Sequence, residues 1–150
     1  RLIIISARTS DNPKLFQDCV TNIKQVHAIF LEKPGAPSVK ELEIMQQSAM
    51  DANIKVFMGF NKNVSSYLIK SRQAAIEGII TFLHNNNYKP NELSECFERN
   101  AEGMLKNMAI HELAILVTYY GVTVDSIANV EADTEYSNCQ TLVGPASGKE

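Results

Sequence analysis

Glu32-Lys33-Pro34 follows directly on His27-Ala28-Ile29-Phe30-Leu31. An apolar run of that length reads as a buried β-strand. In an open parallel sheet, ligands bind outside the carboxyl ends of the strands. A lysine at such an end brings an ammonium to the ligand side of the sheet, and Pro34 restricts Lys33 to an extended conformation. The alternative is a solvated Glu–Lys pair closing a strand, and spacing alone leaves both readings open.

A second constellation lies on a helix expected over residues 104–120. At about 100° per residue, Leu105, Ala109, Leu113, Leu116, Val117 and Tyr120 fall on one face. Asn107, His111 and Thr118 line the opposite side, with Ala114 between them. Asn107 and His111 are i and i+4, so their side chains are neighbours. On so apolar a helix, a polar stripe faces either water or a site, and His111 is either structural or an acid/base group. His111-Glu112-Leu113-Ala114-Ile115 fails as a zinc-protease motif, because Ile115 stands where the second histidine must be. No metal site is expected.

The elements that must position these residues follow from pattern. The chain has 150 residues, 45% hydrophobic and 21% charged, which suits one globular domain or pieces of two. Its formal net charge is −3 and it has no basic run, which argues against a nucleic-acid surface or an anionic-lipid patch. Its apolar stretches, such as residues 2–5 and 28–31, are too short to span a bilayer. Cys19, Cys96 and Cys139 have neither metal spacing nor the even number of a disulfide framework. Reduced thiols in a cytoplasmic protein are the expectation. The chain opens at Arg1, next to a strand-like run with no signal peptide ahead of it, and stops inside the turn-like Gly144-Pro145-Ala146-Ser147-Gly148-Lys149-Glu150. It is therefore expected to be a fragment of a longer polypeptide.

Leu2-Ile3-Ile4-Ile5 reads as a strand covered on both faces. Asn12 is expected to cap a helix with Pro13 at its first position, its apolar residues being Leu15, Phe16, Cys19, Val20 and Ile23. Residues 26–31 read as a second strand. Ser38-Val39-Lys40-Glu41 reads as a capping box, opening a helix with a stripe of Val39, Leu42, Met45, Ala49 and Ala52. Residues 54–60 read as a third strand. This β-α-β-α-β order predicts a parallel sheet and half of a doubly wound domain. Beyond Gly59-Phe60-Asn61 the pattern changes. A helix is expected over residues 64–77, a strand over 79–83, a loop over 84–90 and a helix over 92–99. The helix of residues 104–120 closes on Gly121, and meander-like strands follow at 127–132 and 138–142. The expected domains are residues 1–62 and 63–150.

In order along the chain, four pieces resemble the Gfo/Idh/MocA oxidoreductases, which include glucose-fructose oxidoreductase and inositol dehydrogenase. Ile3-Ile4-Ile5-Ser6-Ala7-Arg8-Thr9 is similar to that family's strand and nicotinamide-side loop. Glu32-Lys33-Pro34 matches its signature tripeptide, and Gly59-Phe60-Asn61 the segment leaving its nucleotide domain. Residues 103–111, running on to Gly121, resemble the helix that carries its catalytic histidine. The resemblance implies the second half of a Rossmann doubly wound parallel sheet, followed by part of an α/β domain with an open, mostly antiparallel sheet.

The resemblance also implies an NAD- or NADP-dependent oxidoreductase acting on a sugar, inositol or related polyol. Lys33 would contact the substrate hydroxyl and the nicotinamide ribose, His111 would be the acid/base, and Glu32 would lie near the cofactor ribose. Ser6, Ala7, Arg8, Thr9, Pro34 and Asn61 complete the implied cofactor contacts, Arg8 either touching a phosphate or standing in solvent. The second-domain sheet would be a homo-oligomer surface. Where the family commonly has Asp four residues before the histidine, this chain has Asn107, an amide that can orient a hydroxyl but cannot accept its proton. Where Asp is frequent three residues after it, Ala114 stands. The loop after the first strand often carries Pro and His in the family, and here has Arg8 and Asn12. The glycine-rich phosphate loop is absent from these residues, so the chain alone is expected to bind the dinucleotide poorly. A non-catalytic binding homologue and the NAD-dependent glycoside hydrolases of the same superfamily are the alternatives.

Overall fold

A computed structural model describes residues 1–75, 89–99, 105–131, 135 and 143–146. The chain divides into two compact units, Arg1–Asn61 and Lys62–Glu150.

The first unit alternates strand and helix: β1 (Leu2–Ile5), α1 (Asn12–Asn22), β2 (Ala28–Leu31), α2 (Val39–Asp51) and β3 (Lys55–Met58). The three strands are parallel in the order β1-β2-β3. Leu2 stands opposite Ala28, and Ala28 opposite Lys55. Two crossovers between consecutive neighbours bring both helices to the same face of the sheet. The helices meet there, Ser48 Oγ donating to Gln17 Oε1 at 3.3 Å. Between them and the sheet lies a core of Ile5, Phe16, Ile29, Leu31, Ala36, Met45, Ala49 and Ile54. Burying an aliphatic or aromatic side chain of this size stabilises by about 1.5–3 kcal/mol.

The same geometry corrects the expectation that β1 is covered on both faces. Successive residues of a strand point to opposite sides, and Leu2 and Ile4 are 64% and 67% exposed while Ile5 is buried. Phe57 of β3, on the open side with them, is also exposed. The start of α1 is corrected too. Asp11 is the N-cap, without a side-chain cap bond, and Asn12 is the first helical residue. The reason is a turn at Arg8, whose carbonyl accepts from the amides of Asp11 (2.9 Å) and Asn12 (3.2 Å), so the chain is already wound when it reaches Asn12. At α2 the Ser38 hydroxyl accepts from the Glu41 amide at 3.3 Å and donates to the Glu41 carboxylate at 2.6 Å. Glu41 thus closes the cap through the serine hydroxyl instead of the serine amide.

In the second unit the described elements are helical. A 3₁₀ turn at Asn61–Val64 leads in, followed by α3 (Ser66–Ala74), α4 (Leu93–Arg99), a π-helical turn at Leu105–Ala109 and α5 (Ile110–Tyr120). Leu68 and Ile115 are its buried apolar residues among those described. Gly121 ends α5 in the left-handed conformation, φ +65°, as a helix-terminating glycine should. Residues 127–131 form no strand, contrary to expectation. The strands expected at 79–83 and 138–142 lie outside the described residues, and no sheet occurs among the described residues of this unit. No helix among the described residues is long and apolar enough to cross a membrane.

Candidate functional site

The carboxyl edge of the sheet gathers the sequence-predicted residues of the first unit. Beyond the last paired residues, the Glu32 amide donates to the Ile5 carbonyl and the Gly59 amide to the Leu31 carbonyl, each at 2.9 Å. The segments leaving the three strands therefore run side by side: Ser6-Ala7-Arg8-Thr9, then Glu32-Lys33-Pro34, then Gly59-Phe60-Asn61. Ser6, Ala7, Arg8 and Asn61 are exposed, Glu32 and Lys33 half-buried, and Thr9 and Pro34 buried. The Lys33–Pro34 peptide is cis.

Two glycines shape this edge. Gly35 turns the chain at φ +91°, a region L side chains rarely adopt, and a Cβ there would meet Met58 Cε at 2.8 Å and Leu42 Cδ2 at 2.9 Å. Gly59 leaves room for a carboxylate, since its Cβ would stand 2.7 Å from Glu32 Oε2. Glu32 therefore lies against the bare backbone of Gly59, which the Phe30 ring also approaches. The resemblance pointed to Glu32 and to Gly59 separately. Their contact joins the ends of two strands, and no local spacing announces it. Asn12, expected as a cap, is 1% exposed, and its Oδ1 is buried with no hydrogen-bond partner.

Chemically, this edge presents an acceptor in Glu32, an ammonium in Lys33, and hydroxyl or amide groups in Ser6, Thr9 and Asn61. A carboxylate can accept from vicinal hydroxyls, and an ammonium can stabilise charge developing on an oxygen.

Asn107 and His111 belong to the second unit. Asn107 falls in the π-helical turn and His111 in the first turn of α5. Both are half-buried, and Nδ1 of His111 is buried. The polar stripe does not simply face water. Asn63 Nδ2 donates to Thr118 Oγ1 (2.9 Å) and to the Ala114 carbonyl (3.4 Å). The Tyr119 hydroxyl donates to the Asn63 carbonyl, and the Arg72 guanidinium lies 3.8 Å from the centroid of the Tyr119 ring. Lys62 forms an ion pair with Glu112, both side chains about three-quarters buried. The most covered side of α5 centres on Ile115, with His111 and Glu112 half-buried and Thr118 exposed, whereas Leu113 and Val117 of the apolar face are 50% and 59% exposed.

Lys62, Asn63 and Glu112 carry no signal in the sequence, because their partners lie some fifty residues apart. Among the described residues no group of three or more His, Cys, Asp or Glu is gathered as metal ligands would be.

Compared with models of known protein families and with curated proteins, the chain has no match to either.

Proposed function

We propose that the chain belongs to an NAD(P)-dependent oxidoreductase of the Gfo/Idh/MocA type, moving a hydride between a nicotinamide cofactor and a CH–OH group of a sugar, inositol or related polyol. The observation that carries this reading is the row of Ser6–Thr9, Glu32-Lys33-Pro34 and Gly59–Asn61 along the carboxyl ends of three parallel, consecutively ordered strands. That end is where open parallel sheets bind ligands, and we read the strands as the second half of a doubly wound sheet.

The donor set suits the ribose and nicotinamide portion of a dinucleotide. Glu32, lodged against Gly59, is an acceptor for ribose hydroxyls, with Ser6, Thr9, Pro34 and Asn61 along the same edge and Ala7 and Arg8 on the exposed loop. The glycine-rich turn that holds a pyrophosphate is not among these 150 residues. The cofactor, when bound, supplies the acceptor for a hydride from the carbinol carbon. By the resemblance, Lys33 would stabilise negative charge developing on a substrate oxygen, and His111 would serve as the acid/base. Asn107 orients a hydroxyl without taking its proton.

A second reading, a homologue that binds without catalysis, draws on Asn63 holding the Ala114–Thr118 part of the polar stripe. One experiment separates them: the full-length protein with NAD or NADP and a panel of polyols, followed by nicotinamide absorbance and by cofactor binding. The oxidoreductase reading expects cofactor reduction. Binding without reduction supports the second reading, a glycoside cleaved without net reduction points to the hydrolase branch, and neither binding nor turnover overturns the proposal.

A further inference from the structure

We propose that Lys62 and Glu112 are a positioning pair for His111, an inference that rests on the acid/base role proposed above. His111 lies in the first turn of α5. The five residues before α5 form a π-helical turn, and the N-cap, Ala109, offers no side-chain cap bond. A π turn closes i→i+5 bonds and widens the spiral, so the direction of the next side chains depends on what holds the first α turn. The ties from Asn63 reach Ala114 and Thr118, on the carboxyl side of His111. The Lys62–Glu112 ion pair falls on the residue next to His111.

Its partners lie fifty residues apart in the chain, at 22% and 26% side-chain exposure, so it is screened far less than a surface pair. Removing one partner takes a part-buried ion pair away from the first turn of α5, which favours reorganisation of the turn. A carboxylate in the first turn also complements the helix dipole. Lys62 and Glu112 act through His111 and are not assigned to touch substrate.

The test uses Glu112→Gln, Lys62→Met and the reversed pair Lys62→Glu/Glu112→Lys, read by imidazole NMR signals and by steady-state turnover. The protein has three histidines, and His111→Asn identifies the signal. Each single variant is expected to shift the His111 ring signals while those of His27 stay in place. Turnover should show kcat lowered about 10- to 100-fold, as misplacement of a reacting group does, with KM little changed. The reversed pair should recover most of the kcat. It also keeps the test open if a single variant does not fold. His111 signals unmoved in the single variants, or a reversed pair no better than either, would overturn the proposal. If the wild type binds no cofactor and turns over no polyol, the oxidoreductase reading falls, while the ring signals still decide whether this pair sets His111.

Discussion

Gly35 is the residue whose backbone most constrains the candidate site. It follows Lys33-Pro34 at φ +91° and packs its Cα toward Met58 and Leu42. Gly35→Ala should cost about 1–2 kcal/mol from the left-handed conformation alone, read as a lower urea midpoint. Cys19 offers a second residue-scale check. Burial, and then the Asp18 carboxylate beside it, push its thiol above the ordinary cysteine range, so the thiolate is scarce at neutral pH. Alkylation of Cys19 should accordingly reach half its maximal rate at a higher pH than that of a free cysteine, and labelling at the free-cysteine pH would contradict this. Glu32-Lys33-Pro34 was legible in the sequence because a strand end is a local feature. The lodging of Glu32 on Gly59 and the pairing of Lys62 with Glu112 were not, since each depends on which distant segments the fold brings together.

At the scale of elements, sequence pattern located most of the described helices and strands and misjudged their surroundings. Residues 38–41 announced the start of α2, and Ser38→Ala should lower stability by about 1 kcal/mol through loss of the cap, measured by thermal or urea unfolding. The capping residue of α1 moved to Asp11 because the Arg8 carbonyl had already begun the turn. Periodicity found both stripes of α5. It could not say which residues of α5 would be tied to another segment, because Asn63 and Lys62 lie some fifty residues away. For β1, four successive apolar residues suggested burial on both sides, whereas the consecutive strand order brings both crossover helices to one. The contrast is measurable. Ile5→Ala should cost about 2–5 kcal/mol, and Ile4→Ala no more than about 0.5 kcal/mol, in equilibrium unfolding of otherwise identical chains.

For the whole molecule, the mixed α/β character is established by a parallel sheet in the first unit and helices in both. The parallel sheet was foreseeable because short helical crossovers between apolar runs leave few other topologies. The function drawn from it rests on one idea, that the carboxyl edge of that sheet receives a nicotinamide cofactor and a polyol with Lys33 at the reacting oxygen. The most direct measurement is the turnover of Lys33→Ala against wild type, by nicotinamide absorbance with the best polyol of the panel. A group that stabilises the developing alkoxide should be worth about 10²- to 10³-fold in kcat, with the variant still folded and still binding cofactor. Turnover equal to that of the wild type would contradict the account.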